Sequence, residues 1–115
     1  MKKANRGPVY AAALYPELAE LVRLHGYALA VHGSIARDFD LVCIPWVEVP
    51  IIPKNVVDRI CSVFSIKTVK DSDVTHHGRI RYTVSIGFGD CFIDLSFMPA
   101  DKYRNEHIEL SKEFA

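Results

Sequence analysis

The chain reads as a single α+β domain, a mixed, mostly antiparallel β-sheet with helices packed on one face. Three observations predict it. Two stretches, near residues 8–25 and 53–64, repeat apolar residues at helical spacing. Two others, 79–88 and 91–98, alternate apolar and polar residues on either side of a Gly-Asp pair. Between these groups, apolar runs flank a Gly-Ser pair at 33–34. With 115 residues, half of them apolar, there is material for one core but not two.

Taken in order, residues 1–7 are expected to form a flexible basic leader, 8–100 the domain, and 101–115 a charged tail or short helix. Pro8 suits the opening of a helix, and Leu14, Leu18, Leu21 and Val22 follow at helical spacing. Pro16 interrupts that pattern. It predicts either one kinked helix or a short helix followed by a firm one from Pro16. Gly26 suits the stop, and His25 falls at the negative end of the helix dipole. Residues 27–32 then read as a buried strand and 38–46 as a second, ended by Pro45, Pro50 and Pro53. Pro53 opens another helix, with Val56, Ile60 and Phe64 on one stripe beside Val57 and Cys61. Residues 66–69 form a short strand and the polar 71–78 a loop.

The last two strands form a hairpin, because Gly89 suits the first central position of a two-residue type II′ turn. Pairing outward sets Phe88 against Cys91, Ile86 against Ile93, Val84 against Leu95 and Tyr82 against Phe97. On the other face, Ser85 then meets Asp94 and Thr83 meets Ser96, with Arg81 next along.

Lysine plus arginine and aspartate plus glutamate both number 14, so no overall field favours nucleic acid or an anionic membrane. No apolar run approaches the roughly 20 residues of a membrane span, and no secretory signal is evident. Cys43, Cys61 and Cys91 are odd in number, widely spaced and set among apolar residues. They read as reduced core thiols and the compartment as cytoplasmic. Without a Cys-x-x-Cys spacing, zinc is a poor fit.

Chemistry concentrates in 31–44. If the second strand is extended from Asp38, then Asp38 and Asp40 share one face, while Phe39 and Leu41 share the other. Adjacent carboxylates resist ionising together, and a divalent cation removes that conflict; hard oxygen donors suit Mg²⁺. Asp94 stands mid-strand between Ile93 and Leu95. An unpaired carboxylate there is costly, so it needs a cation, an ion pair with Arg81 or a solvent-facing position. Gly33-Ser34 lets backbone N–H groups approach phosphate. Arg37 and Arg81 either reach a triphosphate or remain surface charges. His32 reads as a strand-end histidine rather than a general base. Asp73, His76 and His77 make a poor ligand set, since adjacent strand histidines point opposite ways. Trp46 and Tyr82 suit core packing better than stacking on a base.

Gly33-Ser34, the Asp38-Phe39-Asp40 strand and the later Phe92-Ile93-Asp94 together resemble the nucleotidyltransferase superfamily, the DNA polymerase β-like fold. The run His-Gly-Ser-x-Ala-Arg-Asp-x-Asp-Leu-Val is similar to small phage-encoded members. The resemblance implies a nucleotidyltransferase-like domain that uses Mg²⁺, or Mn²⁺, to bind a nucleoside triphosphate. It implies transfer of a nucleotidyl group to an acceptor hydroxyl of unspecified identity, in a host cytoplasm if phage-encoded. Asp38 and Asp40 would hold both cations. Asp94 would hold one and help to activate the acceptor, while Gly33, Ser34, Arg37 and Arg81 would bind phosphate. Members usually place a turn or two of helix between Gly-Ser and the acids, where this chain has Ile35, Ala36 and Arg37. That departure favours the alternative, a non-catalytic nucleotide-binding or protein-interaction module that retains the fold. A homodimer or a protein partner would be consistent with so small a chain.

Overall fold

A computed structural model describes residues 12–33, 38–75, 78–86 and 92–106. Among them stand two helices, α1 (Tyr15–Leu24) and α2 (Pro53–Phe64), and six strands. The strands are β1 (Tyr27–His32), β2 (Phe39–Pro45), β3 (Lys67–Thr68), β4 (Asp73–Val74), β5 (Ile80–Ser85) and β6 (Phe92–Phe97). They form one mixed sheet in the order β1-β2-β6-β5-β3, and β4 also pairs with β5. Every pairing is antiparallel except β2 with β6. No described helix is long and apolar enough to cross a membrane.

Helix α1 follows the second of the two readings of Pro16. Ala13 and Leu14 form a turn, and the firm helix begins beside Pro16, where the missing N–H has no helical partner to lose. Leu18, Leu21 and Val22 turn inward. At its end, His25 Nδ1–H donates to the Leu21 carbonyl at 2.7 Å, occupying one of the acceptors that a helix terminus leaves over. Gly26 carries the chain away with φ +98°, and an added Cβ there would lie 2.7 Å from Val47 Cγ2. Trp46 closes the same corner: its Nε1–H donates to the Arg23 carbonyl at 3.1 Å. Trp46 is more than half exposed, so it is not the core residue that the sequence suggested.

Helix α2 starts with Pro53 in its first turn and buries Val56, Val57 and Ile60. Both helices lie over the sheet face made by Tyr27 and Leu29, Phe39, Leu41 and Cys43, Ile93, Leu95 and Phe97, and Val84. Tyr27 and Phe97 meet edge to face at 5.2 Å, and Tyr82 also meets Phe97 edge to face at 6.0 Å. Burying one such side chain contributes about 1.5–3 kcal/mol. The Tyr27 hydroxyl donates to the Ile51 carbonyl at 2.7 Å, tying the loop before α2 to the sheet. Cys43 is a buried free thiol. The helices therefore cover one sheet face and leave the other open.

Two expectations are corrected. The β5–β6 register pairs Thr83 with Asp94, Val84 with Ile93 and Tyr82 with Leu95, two residues away from the expected alignment. Apolar alternation specifies the face that a residue occupies, and a shift by two preserves every face. The Gly89-Asp90 turn itself lies outside the described residues, as do His76, His77 and Cys91. In the expected 71–78 loop, Asp73 and Val74 pair with Arg81 and Ile80 as β4. Polar composition hid this strand, which is held partly by the Asp73–Arg81 ion pair. At the C-terminal end, 101–106 run beside the loop before α2. Arg104 N–H donates to Pro50 at 2.8 Å and its carbonyl accepts from Ile52 at 2.9 Å. Residues 107–115 are outside the description.

Candidate functional site

The site follows from strand parity. Residues whose odd-numbered neighbours on β2 build the core place Asp40 and Val42 on the open face. One row across that face reads His32, Asp40, Asp94 and Thr83, on β1, β2, β6 and β5. The next reads Ala30, Val42, Ser96, Arg81 and Asp73. Asp40 and Asp94 are direct partners across the parallel seam, where adjacent strands run about 4.8 Å apart.

Burial pushes the Asp40 carboxyl up to about 6. A hydrogen bond with Asp94 and the charges of Asp94 and Asp38 add to the rise, and His32 opposes it. Thr83 Oγ1–H donates to Asp94 Oδ1 at 2.8 Å, orienting that side of the pair. Gly33, at φ +81°, closes over the other side. A Cβ there would lie 2.5 Å from Asp40 Oδ2, so any other residue would displace this carboxylate as well as strain the backbone.

Asp40 and Asp94 lie in an open cleft of about 750 Å³ that extends past Arg81 to Arg79, Met98 and Pro99. Asp38 immediately precedes β2 and lines an adjoining cleft of about 340 Å³ with Lys70, Thr83 and Phe92. Arg81 and Asp94 line both clefts. Asp38 is thus near enough to influence Asp40, but it stands to one side of the pair. Among the described residues, no three His, Cys, Asp or Glu side chains form a ready metal-binding group.

The donor chemistry of the pair nevertheless fits a hard cation. Two carboxylates that repel each other across one seam can share a divalent ion, with both remaining ionised. Thr83 and Gly33 already constrain where those oxygens lie.

Arg81, expected to reach a triphosphate or remain a surface charge, is paired with Asp73. Its Nε–H donates to Asp73 Oδ1 at 3.1 Å and its Nη2–H to Asp73 Oδ2 at 2.6 Å, a two-pronged pair. The bond raises Arg81 and holds the Asp73 carboxyl below its usual range. Asp94 and Asp40 also act on Arg81 through their charge. Ser34 and Arg37 lie outside the described residues. Trp46 and Tyr82 are not brought together: Trp46 covers the end of α1, and Tyr82 packs on the helix-covered side.

Sequence reasoning missed the direct role of Thr83, because the expected register gave Asp94 to Ser85. It also passed over Arg79, whose parity with Arg81 and Thr83 would have placed it on the open face. Comparison of the chain with protein-family models, curated proteins and solved structures yielded no match.

Proposed function

We propose that the protein is a Mg²⁺-dependent, nucleotidyltransferase-like protein that binds a nucleoside triphosphate in the larger cleft and transfers its nucleotidyl group to an acceptor hydroxyl. The observation that supports this reading is the Asp40–Asp94 pair, side by side on the open sheet face with Arg81 lining the same cleft. Asp40 and Asp94 would hold the cation, with Asp38 contributing from the adjoining cleft. Bound Mg²⁺ or Mn²⁺ supplies charge neutralisation on the phosphates. Thr83 orients Asp94 for a second task, taking the proton from the acceptor hydroxyl. The hydroxyl oxygen then forms a bond to the α-phosphorus as the bond to the departing pyrophosphate breaks. Gly33 keeps Asp40 in place, and Arg81, steadied by Asp73, adds positive charge beside the transferring group.

A second reading draws on the position of Asp38 outside the pair and on the commitment of Arg81 to Asp73. It describes a non-catalytic nucleotide-binding module. Calorimetry with each nucleoside triphosphate, with and without Mg²⁺, tests what the two share, using Asp40→Asn as the control. Metal-dependent binding that the variant loses supports the site. Equal binding by both proteins refutes it. Pyrophosphate release in the presence of candidate acceptors then separates transfer from binding alone.

A further inference from the structure

The far end of the larger cleft has a different character from the acid pair. Arg79 lies just before β5 and four residues from Thr83, so about 13 Å along the strand separates it from the acid row. Its surroundings are largely apolar: Val74, Met98 and Pro99 line this end with Thr75. The backbone here is clasped twice, since Thr75 N–H donates to the Arg79 carbonyl at 2.8 Å and Arg79 N–H donates to Thr75 Oγ1 at 3.2 Å.

Arg79 Nε is shielded from solvent and has no hydrogen-bond partner. An unsatisfied buried donor on a cation is costly, and a ligand acceptor that draws the guanidinium into the cleft would relieve it. Arg81, the neighbouring guanidinium, already has Asp73. Among the described residues, no carboxylate pairs with Arg79. Apolar walls suit a flat ring better than a strongly hydrated phosphate. A guanidinium fork suits a ring edge that presents two adjacent acceptors; O6 with N7 of guanine and O2 with N3 of cytosine both do so, and the larger purine covers more of the apolar wall.

We propose that the Arg79 end of the cleft holds the base of the bound nucleotide and selects guanine. The inference rests on the nucleotide-binding reading above and names its substrate. The phosphates lie at the Asp40–Asp94 end, near Gly33, and the base lies between Met98 and Val74, with its acceptor edge toward Arg79.

The test is calorimetric titration of the full chain with GTP, ATP, CTP and UTP in Mg²⁺, and with 7-deaza-GTP, which lacks the N7 acceptor. The same series is run on Arg79→Lys, which keeps the charge but not the fork. GTP is expected to bind about 10- to 100-fold more tightly than the other three. The 7-deaza analogue should lose most of that advantage, and Arg79→Lys should bind all four nucleotides alike. The analogue needs no substitution in the protein, so this arm stands even if Arg79→Lys folds poorly. Equal binding of the four nucleotides by the native chain overturns the inference and leaves nucleotide binding intact. So does an undiminished preference for 7-deaza-GTP, or a GTP preference that survives in Arg79→Lys. A uniform loss for all four nucleotides in that variant assigns Arg79 to the phosphates and overturns the base assignment. No binding of any nucleotide refutes the underlying reading as well.

Discussion

Replacing Asp40 with asparagine is expected to stabilise the protein at neutral pH. In the folded chain the Asp40 carboxyl sits at about 6, against an ordinary value of 3.8. Between those values the folded state holds a proton that the unfolded chain has released. This contribution to stability is therefore complete below about pH 4 and is lost as pH rises through about 6. At full value the difference corresponds to about 3 kcal/mol. Asp40 is only half-buried, and solvent screening reduces the figure to about 1–1.5 kcal/mol. Asparagine is nearly the same size, carries no charge and can donate to Asp94 at any pH. Urea denaturation in metal-free buffer at pH 4 and pH 7.5 measures the effect. The variant should match the native chain near pH 4 and exceed it by about 1 kcal/mol at pH 7.5, or by about 5 °C in melting temperature. Asp73 and Glu20, whose carboxyls are held low, lose stabilisation as pH falls, but they do so in both proteins. A variant less stable than the native chain at pH 7.5, or a difference independent of pH, would refute the account of the acid pair. Added Mg²⁺ should raise native stability at pH 7.5 and leave the variant nearly unchanged, because a ligand stabilises only the state that binds it.

Three further outcomes follow from the geometry. Gly26→Ala should cost about 2–4 kcal/mol in chemical denaturation, since the new Cβ meets Val47 and Pro50 while the backbone stays at φ +98°. A loss below about 0.5 kcal/mol would mean that this corner is looser than described. Thr83→Val should lower stability by about 1 kcal/mol and weaken metal-dependent nucleotide binding several-fold, because Asp94 loses the hydroxyl that orients it; unchanged binding would show that this bond has no part in the site. A double-mutant cycle on Asp73→Asn and Arg81→Gln should give a small favourable coupling that declines in high salt, because both side chains are more than one-third exposed. A coupling that salt does not change would point to burial absent from the present structure.

Sequence alone located most elements because their signals are local. Tyr27–His32 was bounded at both ends, and Pro53 marked the start of its helix. The open face was equally legible, since parity sends Asp40 and Asp94 away from Leu41 and Leu95. What parity cannot supply is the partner. The identity of the residue opposite Asp94 depended on a turn that the alternation does not specify, and Thr83 was found only with the register. Strand β4 was illegible for another reason. Two residues carry no periodicity, and the attraction between Asp73 and Arg81 is long-range information in a polar stretch. The pairing of β2 with β6 was similarly hidden, because nothing near Asp40 specifies a parallel neighbour from a distant part of the chain.

That parallel seam also bears on the order of assembly. β1 with β2, and β5 with β6, join stretches close in the chain, so each pair can form early at small entropic cost. Joining them closes a long loop and brings two carboxyl groups together at the same moment. The longest loop closure and the electrostatic penalty thus fall on one event. A proton or a divalent ion that relieves the acid pair would promote the joining of the two halves, so the chemistry of the cleft and the completion of the sheet become a single equilibrium.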